Sequence, residues 1–114
     1  MMETHSNFLT QLLERDKRRY ERRSVRLEAI VSCMRTGLRG HMSQPVMILN
    51  ISEGGCMISS PAAEELTDEF HIAISGIAAK IGCTVVARSG VQLNVRFTEI
   101  LPTALIDKVA ARGI

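Results

Sequence analysis

The chain has 114 residues, 46% of them hydrophobic and 23% charged, and a formal net charge of +2. This length suits one domain with a core of its own. No apolar run is long enough to span a membrane, and the first residues lack the apolar core of a signal peptide, so we expect a cytosolic protein. No Ser, His or Cys arrangement typical of nucleophilic catalysis is present, which predicts a protein that is not an enzyme.

The cysteines are three in number and far apart, at Cys33, Cys56 and Cys83. A zinc site formed by these thiols and His41 is conceivable, but no Cys-x-x-Cys pair supports it. Disulfides are not expected in the cytosol. We therefore expect three buried cysteines that act as small hydrophobic residues, and no bound metal.

The first predicted element is a helix over residues 7–18. Ser6 is a suitable N-cap, and an apolar stripe follows on one side of the helix. This stripe consists of Phe8, Leu9, Leu12 and Leu13. We expect it to dock on the main body of the protein or on a second copy, so a homodimer is an open alternative.

Six strands follow, as shown by the alternation of apolar and polar residues. They are predicted at 25–34, 45–52, 55–59, 70–75, 77–88 and 91–97, with a possible bulge at Gly82 and inward-facing Val91, Leu93, Val95 and Phe97 in the last strand. The second and third strands are expected to pair as a hairpin. Glycine-containing turns are predicted at 36–40 and 89–90, and residues 61–68 have room for one helical turn.

A short C-terminal helix is predicted over residues 103–111, because Pro102 can start a helix and Leu105, Ile106 and Val109 form an apolar face. The fold class is therefore mainly β: a small six-stranded antiparallel β-barrel with an N-terminal helix and a short C-terminal helix. The expected organisation is a helical extension over 1–17, the barrel over 18–101, and a helix over 102–114 packed on the barrel.

Positive charge is concentrated in residues 15–26. This segment holds seven of the fourteen Lys and Arg residues but two of the twelve Asp and Glu residues, so its net charge is +5 and that of the remainder is −3. Such a segment predicts an anionic partner, since guanidinium groups suit phosphates and guanine edges. A solvated helix end is the alternative. Nucleic acid is an unlikely partner, because the total charge is nearly neutral and Tyr20 is the segment's one aromatic residue.

A second polar segment, residues 50–55, lies at the end of the second strand and in the following turn. Asn50 and Ser52 are two positions apart, which predicts side chains on the same face of a strand. The glycines after them permit a turn and close approach of a flat ligand. Asn, Ser and Gly are also the ordinary residues of a hairpin turn, and that alternative stays open.

Together the two segments resemble the PilZ domain family, which binds the bacterial second messenger cyclic di-GMP. The family's RxxxR motif is matched by Arg18 and Arg22 just before the first strand, although Arg19 and Arg23 have the same spacing. Its [D/N]xSxxG motif is matched by Asn50, Ser52 and Gly55. The resemblance continues into the strand over 91–97 and covers about residues 18–100.

The resemblance implies a cyclic di-GMP receptor without a cofactor, whose ligand-binding residues are Arg18, Arg22, Arg23, Asn50, Ser52 and Gly55. It also implies an adaptor in which ligand orders the arginine segment, moves the N-terminal helix and changes the surface offered to a protein effector. Two alternatives remain: a basic nucleic-acid-binding module, and a PilZ-like scaffold that no longer binds ligand.

Overall fold

Apolar and polar residues alternate along most of the chain, and the strands follow this alternation closely. The computed structural model describes residues 20–34, 41–77 and 80–112. The strands are β1 (Arg23–Met34), β2 (His41–Ile51), β3 (Gly55–Ser59), β4 (Glu69–Ile74), β5 (Lys80–Ser89) and β6 (Gln92–Phe97). A 3-10 turn spans Ala63–Glu65, and helix α1 spans Thr103–Arg112. The predicted helix over 7–18 and the turn over 36–40 lie outside the described residues.

The six strands close into a barrel in the order β1-β2-β3-β6-β5-β4. Every neighbouring pair is antiparallel. The predicted six-stranded antiparallel barrel is therefore confirmed, as is the β2–β3 hairpin. Closure brings β6 beside β3, although more than thirty residues separate them in sequence. This non-local pairing decides which outward-facing side chains meet at the site described below.

One side chain in two along β1 points into the barrel. In β1 the inward residues are Val25, Leu27, Ala29, Val31 and Cys33, all of them buried. Cys56 and Cys83 are buried as well, and all three cysteines are free thiols. Burial raises the pKa of the Cys83 thiol to about 12 and that of Cys56 further still. The cysteines thus pack as small hydrophobic residues, as expected.

Helix α1 packs its apolar face onto this core. Ile106 and Val109 are buried, and Leu105 packs against them in a half-buried position. The predicted C-terminal helix is thus confirmed. Among the residues with described structure, no helix is long and apolar enough to cross a membrane.

Two details of the predicted strands are wrong. Gly82 pairs regularly with His71, and the irregularity in β5 falls between Val85 and Ala87 instead. Gly82 lacks a side chain for a different reason: a Cβ atom there would collide with Thr98. Val91 does not face inward but is 52% exposed, because it belongs to the turn before β6.

Candidate functional site

The arginine segment reaches the barrel next to the second polar segment. Tyr20 and Arg22 come just before β1, and Arg22 is exposed. A Cβ atom on Gly54 would be in ordinary van der Waals contact with the Tyr20 ring, at 3.7 Å. Tyr20, in the middle of the arginine segment, therefore lies over the turn between β2 and β3. Arg18 and Arg19 lie outside the described residues, so the structure describes one arginine of each possible RxxxR pair.

Arg22 joins the two motifs directly. Its Nη1 atom donates a 2.8 Å hydrogen bond to Oδ1 of Asn50, which is 28 positions away in the chain. The same Nη1 atom donates a longer hydrogen bond, of 3.3 Å, to Oδ1 of Asn94 on β6. One guanidinium group thus spans side chains from two strands of the barrel wall.

The register of the barrel explains how these amides come together. Asn50 on β2 is opposite Ser24 on β1 and Met57 on β3, and Met57 is opposite Asn94 on β6. Adjacent strands in a sheet are about 4.8 Å apart, so these residues form a short row across the wall. Asn50, Met57 and Asn94 are half-buried, and the residues on either side of Met57 and Asn94 are buried in the core. The row therefore lies on the outer surface of the barrel.

Asn94 was not among the residues predicted from sequence to form the site. An outward-facing asparagine in an alternating strand is an ordinary surface residue. Its place in the site follows from the pairing of β6 with β3, which puts Asn94 two strands away from Asn50. A correct strand order was needed to find it.

Ser52 has a different environment from Asn50. It is buried, and its Oγ atom accepts a 3.3 Å hydrogen bond from the Gly54 N–H. The same hydroxyl lies 3.4 Å from the Gly55 carbonyl oxygen, to which it donates, while the Ser52 backbone N–H donates to that carbonyl at 2.8 Å. Ser52 therefore stabilises the turn that follows Asn50.

Gly55 is required by close packing of two strands. A Cβ atom at this position would collide with the carbonyl oxygen of Val95 on β6. Among described residues, the glycines with positive φ are Gly76 and Gly90, so Gly55 does not serve an unusual backbone angle. Its missing side chain instead allows β3 to lie against β6 in the register that aligns Asn50 with Asn94.

Arg23 points to a different set of partners. Its Nη1 atom is 3.4 Å from Oε1 of Glu53, and its Nη2 atom is 2.9 Å from Oδ1 of Asp107 on α1. The Arg23 side chain is 26% exposed, whereas that of Glu53 is 6% exposed. Arg23 also donates a 3.3 Å hydrogen bond to the Glu21 carbonyl oxygen.

Glu53 is a buried carboxylate that keeps its charge. Burial alone would raise its pKa, but hydrogen bonds from Thr103, its own backbone and Arg23, together with the Arg23 charge, lower the pKa below the usual 4.5. Thr103 begins α1, where the helix dipole also favours a negative group. The carboxylate is therefore suited to a permanent ion pair.

The arrangement around Arg22 combines a positive charge with hydrogen-bonding groups on the outer surface of the barrel. It offers an exposed guanidinium group and two carboxamides beside the half-buried Met57. Guanidinium groups bind phosphates and guanine edges through paired hydrogen bonds and stack on planar rings. Within 20–34, 41–77 and 80–112, no cluster of His, Cys, Asp and Glu could hold a metal ion.

A family model, that of the PilZ domain, matches residues 16–111. The match spans all of the arginine segment except Arg15, the whole barrel and nearly all of α1. A comparison with curated proteins finds no match. The family match extends over most of the chain and agrees with the observed barrel. The chain therefore belongs to the PilZ domain family.

Proposed function

We propose that this protein is a cyclic di-GMP receptor that acts as an adaptor without catalysis. The observation that carries the proposal is the hydrogen bond from Arg22 to Asn50. It joins the second arginine of the RxxxR motif to the first residue of the [D/N]xSxxG motif. Two segments that are far apart in sequence thus form one exposed surface, as a ligand held by both motifs requires.

The hydrogen bonds of Arg22 to its two amide partners are of a kind that a ligand can replace. Both are neutral amides, and their hydrogen bonds to Arg22 are exposed, so water competes with them. A phosphate oxygen carries a negative charge of its own, and a guanidinium can bind a phosphate through two parallel hydrogen bonds. Cyclic di-GMP has two phosphates and two guanines, and each guanine offers O6 and N7 acceptors to an arginine fork. The ligand can therefore replace the amides as the partner of Arg22.

In this proposal the motif residues have separate roles. Arg18 and Arg22 bind the guanines and phosphates from the outer side, and Asn50 contacts a guanine edge from the barrel. Ser52 and Gly55 shape the turn on which the ligand rests. Arg23 is already paired with two carboxylates, which supports a helping role beside Arg22.

The proposed output is a change at the junction between the N-terminal segment and the barrel. Ligand that bridges Arg18, Arg22 and the barrel wall would order this junction and reposition residues 1–17. The repositioned segment would then present a different surface to a protein effector. The factor by which cyclic di-GMP raises the affinity for the effector equals the factor by which the bound effector raises the affinity for cyclic di-GMP.

Calorimetric titration of the full chain tests the proposal, with cyclic di-GMP, GMP and a short DNA duplex as separate ligands. We expect binding of cyclic di-GMP at micromolar concentration and much weaker binding of the other two. DNA binding that falls steeply with salt, without cyclic di-GMP binding, would support a nucleic-acid-binding module. A folded protein that binds none of the three would support a scaffold that acts through protein contacts alone.

A further inference from the structure

The turn between β2 and β3 is connected to helix α1 by an ion-pair network that includes Arg23. We propose that Arg23, Glu53 and Asp107 are positioning residues that hold Arg22 over the barrel wall. We call these three residues the carboxylate clamp. This inference rests on the proposed function, because it assigns the clamp a role in binding the same ligand.

The clamp acts on Arg22 through the backbone. Arg22 and Arg23 are consecutive, and the side chain of Arg23 is held between carboxylates of the β2–β3 turn and of α1. With Arg23 held, the backbone entering β1 has little freedom to rotate. The Arg22 side chain is then directed away from these carboxylates and towards Asn50 and Asn94. A ligand that orders the residues before Arg22 thus meets an Arg22 side chain that is already in place, which reduces the entropy lost on binding.

Burial of Glu53 makes its ion pair with Arg23 costly to break. Glu53 is 5% exposed, and a buried carboxylate without its cation has a large desolvation cost. The pair therefore resists the local rearrangements that separate exposed ion pairs. The Asp68–Arg88 pair elsewhere on the barrel is a useful contrast, since it is 2.8 Å long but its Asp68 side chain is 83% exposed.

Helix α1 and the residues just before it support the clamp. The Leu101 N–H donates a 2.9 Å hydrogen bond to the Glu53 carbonyl oxygen, just before the helix begins. The side chain of Thr103 lowers the pKa of the Glu53 carboxyl at the start of the helix. Asp107 lies one helical turn later on the same face and binds Arg23. Because α1 itself is anchored in the core by Ile106 and Val109, it gives the clamp a rigid support.

The test compares Glu53→Gln, Arg23→Gln and the double variant with the wild-type protein. Two quantities are measured: the Arg22 side-chain Nε–H signal by NMR without ligand, and the Kd for cyclic di-GMP by calorimetry. We expect each single variant to shift the Arg22 signal towards that of a free arginine and to raise Kd roughly tenfold. The double variant should be no weaker than either single one, because both changes remove the same pair.

Two further variants separate positioning from a general loss of structure. Arg23→Lys, which keeps the charge, should recover part of the affinity. Asp68→Asn removes a carboxylate from the unrelated Asp68–Arg88 pair and should change neither the Arg22 signal nor Kd. If Glu53→Gln fails to fold, Asp107→Asn replaces it, since Asp107 is exposed on α1.

The outcomes distinguish this inference from the proposed function. An unchanged Arg22 signal and an unchanged Kd in folded Glu53→Gln would overturn the clamp. Additive losses in the double variant would also overturn it. If the wild-type protein does not bind cyclic di-GMP, the proposed function fails, and the Arg22 signal alone decides whether the clamp positions this side chain.

Discussion

Arg22 and Arg23 are adjacent in sequence, yet the guanidinium group of Arg22 binds neutral partners and that of Arg23 binds charged ones. Arg22 donates to the neutral amide oxygens of Asn50 and Asn94, whereas Arg23 pairs with the carboxylates of Glu53 and Asp107. The first arrangement is exposed and weakly held, and the second is partly buried and charged. This difference leads to distinct expectations for stability and for ligand binding.

Replacement of Arg22 by alanine should nearly abolish cyclic di-GMP binding and leave the fold intact. The side chain is exposed and makes hydrogen bonds to neutral groups, so the free energy of unfolding should change by no more than about 0.5 kcal/mol. Calorimetry and thermal unfolding without ligand measure the two effects. Arg26→Ala is the matched control, because Arg26 is an exposed arginine from the same basic segment and faces outward from β1. Equal loss of affinity in both variants would indicate a general charge effect instead.

Gly55→Ala should destabilise the barrel even without ligand. The added Cβ atom collides with the Val95 carbonyl oxygen, and the backbone of β6 can give way only by disturbing the barrel. Overpacking of this kind costs about 1–3 kcal/mol. Denaturant unfolding measures this loss.

Gly54→Ala is the control for that experiment. A Cβ atom at Gly54 meets the Tyr20 ring at an ordinary distance of 3.7 Å, so its effect on the free energy of unfolding should be small. Equal stability of the Gly55→Ala protein and the wild type would contradict the close-packing explanation. The ligand affinity of Gly55→Ala must be measured on the folded fraction, since unfolding alone would lower apparent binding.

The regular part of this fold could be predicted from sequence because each barrel strand has one face in the core. The alternation from Val25 to Cys33 follows from that arrangement, and all its inward members are buried. The interruption in β5 could not be located in this way. The position of this interruption depends on the pairing of β5 with β6. Gly82 has no side chain because a Cβ atom would collide with Thr98, a residue outside the strand.

The site could be predicted only in part, for a related reason. Local spacing placed Arg22 and Asn50 in recognisable motifs, but the hydrogen bond to Asn94 depends on the contact between β3 and β6. The separation of Arg22 from Arg23 depends on carboxylates that come from the turn and from α1. Interactions between distant parts of the chain leave no local pattern to read.

Acidification should weaken the protein through Glu53. Because the pKa of Glu53 is lowered on folding, its contribution to the free energy of unfolding is fully present above the unfolded pKa, close to 4.5. That contribution is lost as pH falls through the lower folded pKa. Denaturant unfolding from pH 7 to pH 3 should show the wild type losing stability relative to Glu53→Gln once pH drops below about 4.5.

A second carboxylate variant controls for the general effect of acid. Glu64→Gln removes an exposed carboxylate in the 3-10 turn, and its stability should follow that of the wild type over the whole range. Parallel pH curves for wild type and Glu53→Gln would mean that Glu53 is not paired on folding. If the wild type instead gained stability in acid relative to Glu53→Gln, the pKa of Glu53 would have to be raised on folding.

Asn50→Asp should increase the selectivity of the site for guanine over adenine. A carboxylate at this position accepts hydrogen bonds from the N–H groups of a guanine edge, whereas an amide provides one carbonyl oxygen and competes with its own N–H groups. The ratio of Kd values for cyclic di-AMP and cyclic di-GMP should rise about tenfold, within the discrimination that one good base contact provides. Both ligands have two phosphates, so the added negative charge affects each Kd similarly and cancels in the ratio. Asn94→Asp introduces the same charge two strands away, and we expect it to leave the ratio nearly unchanged. An equal rise in both variants would show that selectivity depends on the local field and not on a direct contact from Asn50.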